Sequence, residues 1–204
     1  MPALRNDKER NRIYDQAIRL FMEHGYAKTT YKDIANACDT TKSMVQHYFP
    51  KKELMVERFF HEKLDEFLNQ AQSAVTVDHS LLDLLTCVGL FQYDFLLNSP
   101  QAKLFCADLL ENRSLTNKII LEEFQWASER IQDSTPAGTT MRAQFIIALA
   151  GAFDLMHLAF QRGEQLTASQ VQHAAMLALW LPMGLSADEV AQALRNAQEL
   201  TGIQ

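Results

Sequence analysis

The stretch Thr29–Phe49, TTYKDIANACDTTKSMVQHYF, decides the reading of this chain. Thr29 and Thr30 offer helix N-caps, and Asp33 stands three residues after Thr30, near the positive end of the helix they open. Ile34 and Ala35 give that helix an inward face, and its pattern stops near Cys38. Asp39-Thr40-Thr41 breaks the periodicity, and Thr41 can cap a second short helix, Lys42 to Tyr48. Two short helices across a tight break form a helix-turn-helix layout, whose second helix lies in the DNA major groove while the first braces it. Met44 and Val45 are expected to pack inward with Tyr48 or Phe49, which leaves Lys42, Ser43, Gln46 and His47 outside. Gln and Ser reach base edges, whereas Lys and capping threonines suit phosphate or guanine.

Outward from this stretch the pattern stays helical. Upstream, Ile13, Tyr14, Ala17, Ile18, Leu20 and Phe21 recur at steps of three and four, and Gly25 ends that helix. Downstream, Pro50 marks a boundary, and a long helix runs from Lys51 through Met55, Phe59, Leu64 and Phe67 to fade at 74–78. Ser80 restarts a helix that ends at Asn98-Ser99-Pro100, and two more cover about 101–112 and 114–133. Ser134–Gly138 is a loop, and the helix after it, 139–161, is apolar on nearly all sides. Thr167 with Gln170 and Ser186 with Glu189 are capping boxes that open the last two helices. No segment alternates as a strand would. With only 7 Gly and 5 Pro, the chain lacks the turns of an all-β sandwich or barrel. The fold class is therefore all-α: a three-helix helix-turn-helix domain at 6–52, and a helical ligand-binding and dimerisation domain at 53–204 entered by a linking helix at about 51–75.

The charge is uneven. Residues 1–60 hold 11 Lys and Arg against 8 Asp and Glu, and the rest hold 8 against 17. A net +3 head on a −9 body suits a DNA-binding end whose body is kept off the phosphates. No uncharged stretch is long and apolar enough to span a bilayer; the best, Ala174–Leu185, is interrupted by Pro182 and Gly184. The charged N-terminus has no secretory apolar core, and three irregularly spaced cysteines (Cys38, Cys87, Cys106) form no disulfide framework or zinc pair. A cytoplasmic protein without membrane association is expected.

The stretch Ile13 to Met55 resembles the DNA-binding domain of TetR-family transcriptional repressors. The resemblance is carried by Ala17-x-x-Leu20-Phe21, Gly25-Tyr26, Thr29-Thr30, Asp33-Ile34-Ala35, Lys42 and His47-Tyr48-Phe49-x-x-Lys52-Glu53. It implies that Thr30 caps the second helix at a phosphate, that Thr41, Lys42, Ser43 and His47 face the groove, and that Tyr48 and Lys52 hold the DNA backbone. Asp39 replaces the family's turn glycine; it tolerates the left-handed conformation but brings a negative charge near DNA. Gln46 stands where an aromatic phosphate contact is expected, and its amide can read adenine. The resemblance also implies a C-terminal part that binds an inducer and forms the dimer.

In the body, Ala148, Gly151, Ala152, Leu155, Ala175, Ala178 and Leu179 are the dimer-interface candidates, on two helices expected to pair with their copies in a four-helix interface. Packing within one chain is the other explanation of their apolar excess. Phe91, Gln92, Phe95, Phe105, Trp126 and His157 are the candidates for a pocket holding a small, partly apolar inducer. Asp154 and His157 share a helix face, which suits a hydrogen-bonded buried pair better than a metal site. The Glu57-His61-Asp65 ladder is expected to be a solvated face, and Cys87 and Cys106 to be core residues rather than redox sensors.

The expected function is a ligand-responsive, sequence-specific DNA-binding regulator, a homodimeric repressor released from operator DNA by a small-molecule inducer. No cofactor or metal is expected. An enzyme is disfavoured because there is no Gly-rich phosphate loop, HExxH or GxSxG. The remaining alternative is a helical protein-interaction module that does not bind DNA.

Overall fold

The computed structural model describes residues 2–100, 102–130 and 139–204. Among the described residues lie ten helices and no strand. They are α1 (Pro2–His24), α2 (Tyr31–Ala37), α3 (Lys42–Tyr48), α4 (Glu53–Ala74), α5 (Leu81–Asn98), α6 (Lys103–Glu111), α7 (Arg113–Arg130), α8 (Thr139–Arg162), α9 (Ala168–Trp180) and α10 (Ala187–Thr201). The loop expected at Ser134–Gly138 lies outside the described residues.

Side-chain caps set where several helices begin. Thr30 with Asp33, Ser80 with Asp83, Thr167 with Gln170, and Ser186 with Glu189 are complete capping boxes. In each, the hydroxyl accepts from the third helical amide while that residue's side chain takes the cap's own amide. The first helix runs back to Pro2, well before Ile13, over a polar stretch that includes an Arg12–Glu9 pair one turn apart.

The helix α4 is the spine. It buries Met55, Val56, Phe59, Phe60, Leu64, Phe67 and Ala71, and it packs against α1, α5 and α7. In the head, Ile13, Ala17 and Phe21 of α1 meet Ile34 of α2, Val45 of α3 and Phe49 in one core. That core continues into the body without a break. Phe21 stacks on Phe105 of α6 at 6.0 Å between centroids, and Phe105 meets Phe59 at 5.6 Å and Phe60 at 6.4 Å. Such pairs add about 0.5–1.5 kcal/mol each beyond the area they bury, so head and body are coupled by packing as well as by chain.

Two expectations change here. By length and composition, α5 and the Met141–Arg162 part of α8 are apolar enough to cross a membrane. A search for uncharged stretches passes over them, because α5 carries Asp83 and Asp94 and α8 carries Arg142 and Asp154. The burial of α5 beneath α4, α9 and α10 accounts for its composition. The Glu57-His61-Asp65 ladder is more than a solvated face. Glu57 pairs with Lys118 at 3.1 Å, and Asp65 accepts from the Trp126 indole Nε1 at 2.8 Å, which ties α4 to α7.

Candidate DNA-binding face and body cavity

The turn before α3 is built as the sequence requires. Asp39 has φ of 47°, the one non-glycine residue with positive φ among the described residues. The Thr40 amide returns to the Ala35 carbonyl at 2.9 Å, closing the end of α2. The Thr41 hydroxyl accepts from the Met44 amide at 3.2 Å and lies 2.9 Å from the Ser43 hydroxyl. Thr30 caps α2, and its hydroxyl donates to Asp33 at 2.6 Å. The hydroxyl and amide of Thr30 together hold the Asp33 carboxyl below its ordinary range.

Two anchors, Val45 and Phe49, fasten α3 to the head, and both are buried. They are one turn apart, so the rest of the helix turns outward. Lys42, Ser43, Gln46 and His47 are exposed as expected, and Tyr48 is half-buried with its ring against His47. Met44 departs from expectation: it is 41% exposed and shares the outward surface. Within Lys42–Tyr48 the buried position is Val45, and Met44, about 100° round the helix from it, lies off the inward face. Lys51, just before α4, is also exposed on the head and was not among the candidates.

Lys52 corrects a second expectation. Its ammonium donates to the carbonyls of Tyr26 at 2.8 Å and Thr29 at 2.7 Å, and lies 4.2 Å from the Tyr26 ring centre. Burial lowers its pKa. This lysine holds the α1–α2 turn from inside the head rather than reaching for the DNA backbone. On the far side, Tyr14 donates to Glu62 at 2.6 Å while Arg58 covers its ring at 3.9 Å, fixing α1 against α4.

The body holds a partly open cavity of about 110 Å³ between α5, α7, α8 and α9, with Leu64 of α4 at one wall. Of the six pocket candidates, Gln92 and Trp126 line it. Phe105 is in the head–body core, Phe95 packs on Phe59 and Phe67, and Phe91 borders a separate surface groove beside Asp65. His157 bonds Gln161 at 3.0 Å, and Asp154 pairs with Arg113, so the two form no pair with each other. The missed residue is Glu123. It is 3% exposed and accepts from Gln92 Nε2 at 2.7 Å, and burial pushes its pKa up to about 8. Leu115, Ile119, Glu123 and Ala127 follow one another at four-residue steps, so an acid in an apolar stripe was a legible signal.

The dimer candidates divide. Ala148, Ala152 and Ala175 are buried within the chain, and Ala148, Ala175 and Leu179 line the cavity. These three small side chains are covered by the chain's own packing. Gly151 is exposed, and Leu155, Ala178 and Leu179 are half-buried. The outward stripe of α8 is Ile147, Gly151, Asp154 and Leu158, with Ile147 57% and Leu158 46% exposed. All three cysteines are buried, and burial raises Cys87 to about 11 and Cys106 to about 12, against thiolate chemistry.

Comparison with known proteins agrees with this geometry. Residues 13–59 match the family model of the bacterial regulatory proteins, tetR family. A 94-residue segment is 32% identical to the HTH-type transcriptional repressor KstR2 of Mycolicibacterium smegmatis. That segment spans 46% of this chain and 43% of the relative. The fold is similar to a TetR-family transcriptional regulator from Streptomyces coelicolor (TM-score 0.58, 17% identity, 89% of this chain and 99% of that one). It is also similar to RolR in complex with resorcinol (TM-score 0.59, 11% identity, 94% and 95% covered).

Proposed function

We propose that this chain, which carries the DNA-binding head of the TetR family of bacterial regulatory proteins, is a ligand-responsive repressor that binds operator DNA as a homodimer. The observation that carries this reading is the outward surface of α3. Lys42, Ser43, Met44, Gln46 and His47 stand exposed on a helix pinned by Val45 and Phe49. Gln46 and Ser43 reach base edges, His47 and Lys42 suit guanine or phosphate, and the Met44 side chain suits a thymine methyl. Thr30, Thr41, Tyr48 and Lys51 take phosphates around them. No enzymatic activity is part of this reading.

The head occupies 6–52 and the body 53–204, with α4 crossing between them. The Ile147–Leu158 stripe of α8, with the exposed parts of α9, pairs with its copy, and the two heads then read half-sites about 34–36 Å apart. The cavity receives the inducer. RolR, alike in fold, holds the small aromatic resorcinol, which supports a compact ligand here. Ligand binding shifts the head only if the cavity takes it better in one arrangement of the heads than in the other.

The test is binding of the purified chain to DNA flanking its own gene, titrated against salt and random-sequence competitor. Tight binding that resists competitor and weakens with salt is expected. A bound complex holding a single chain, or affinity that ignores both sequence and salt, overturns the reading.

A further inference from the structure

Among the described residues, three buried groups that line the cavity between α5, α7, α8 and α9 keep hydrogen-bonding capacity to spare: the Glu123 carboxyl, the Gln172 amide and the Tyr93 hydroxyl. Glu123 is nearly inaccessible, and its Oε1 takes the Gln92 amide. Among the described residues, its Oε2 has no hydrogen-bond partner. Gln172 of α9 is also buried, at 6% exposure, and among the described residues its amide has no partner either. Fully enclosed side-chain oxygens and nitrogens among the described residues are all paired. The unpaired atoms of Glu123 and Gln172 therefore open onto the cavity that both residues line. Gly89 makes room for this: a Cβ there would stand 2.2 Å from the Gln172 Oε1.

The chemistry of the lining is one-sided. The described lining residues include one carboxylate and no Lys, Arg or His. An anionic ligand would meet Glu123 with no counter-charge. In the empty cavity burial keeps the Glu123 carboxyl protonated up to about pH 8, and a neutral donor would satisfy a lone pair without giving that carboxyl a reason to ionise. A protonated amine both donates to the carboxyl and stabilises its ionised form, and the lining includes Tyr93 and Trp126, aromatic residues of the kind that attract a cation. We propose that the inducer is a compact organic amine whose ammonium donates to the free oxygen of Glu123 and to the Gln172 carbonyl, with its apolar body among the aromatic walls. This rests on the reading of the cavity as the inducer site. The cavity, about 110 Å³, is smaller than the one of about 150 Å³ that accepts benzene. An aromatic amine therefore needs more room than the empty cavity offers, so seating it requires some of the walls to shift.

Three probes of similar size test it: benzylamine, benzyl alcohol and benzoate, titrated calorimetrically into the full chain without DNA near neutral pH. Benzylamine is expected to bind at least about tenfold more tightly than the alcohol, with benzoate weakest. Glu123→Gln should erase the preference for the amine while thermal melting confirms that the variant is folded. Gln172→Leu, which keeps the carboxylate, should weaken the amine but preserve the order. Equal or tighter binding of the alcohol or benzoate overturns the proposal. So does an amine preference that survives E123Q, or no benzylamine binding up to about 1 mM, a bar of about 4 kcal/mol. Because no DNA is present, these failures leave the repressor reading standing; failure to bind operator would overturn that reading alone.

Discussion

The Asp108 carboxylate on α6 accepts a hydrogen bond from the Ala27 amide at 2.8 Å, joining residues 81 positions apart. The body thereby caps the turn between α1 and α2 of the head. Gly25 lies under the same oxygen: it has φ of 87°, and a Cβ there would come within 2.6 Å of Asp108 Oδ2. One glycine serves two needs, the left-handed turn and the approach of the body's carboxylate.

Gly25→Ala should destabilise the chain by about 2 kcal/mol in urea unfolding, part from positive φ and part from displacing Asp108. Asp108→Ala should cost about 1 kcal/mol. The double variant should cost less than the sum, because the steric part disappears with the carboxylate. Strict additivity would show that the two residues do not compete for this space.

Lys52 and the exposed lysines should separate in two assays. Lys52→Met should lose about 2 kcal/mol of stability, since two carbonyls lose their donor. Its salt dependence of DNA binding should stay near that of the parent chain. Lys42→Ala and Lys51→Ala should be nearly neutral in stability, yet each should flatten the logarithmic salt slope by about one unit. A flattened slope in the Lys52 variant would place its ammonium at the phosphates after all.

Asp39→Gly should relieve roughly 1 kcal/mol of left-handed cost, offset in part by the glycine's entropy in the unfolded chain. It also removes a negative charge beside α3. Nonspecific DNA affinity at low salt should rise several-fold, and the gain should fade as salt is added. An unchanged affinity would mean that Asp39 points away from the bound duplex.

Glu123 makes stability depend on pH. Its ordinary value is 4.5, and burial raises it to about 8 in the folded chain despite the opposing Gln92 bond. Nearby Tyr93 stays neutral, because burial and then the Glu123 carboxyl raise its pKa. Between those values the folded state keeps a proton that the unfolded state has released. The group's contribution to stability therefore falls as pH rises through that window, at up to about 1.4 kcal/mol per pH unit. Glu123→Gln cannot titrate, so its urea-unfolding curve should pull ahead of the parent's between about pH 5 and pH 8. Parallel curves would show that the carboxyl is ionised and satisfied in the fold.

The sequence by itself determined the helices and the head. Three- and four-residue periodicity and N-cap hydroxyls are local, and they fix where Thr30, Thr41, Thr167 and Ser186 start helices. Asp39 was legible as the left-handed turn residue because only a few side chains tolerate that backbone. The tertiary structure decided what each face meets. Met44 and Val45 are neighbours with similar character, yet only Val45 finds the core, because the direction from which α1 and α2 approach settles it. Lys52 looked like a phosphate contact until the folded turn placed two carbonyls within its reach. Ala148 and Ala175 stand on two helices whose apolar excess was legible, but sequence does not say whether the helix each one meets belongs to the same chain. Glu123 is charged in any composition count. Only the packing of α5, α7, α8 and α9 makes it a buried carboxyl at a cavity, because desolvation is a property of the surroundings and not of the residue.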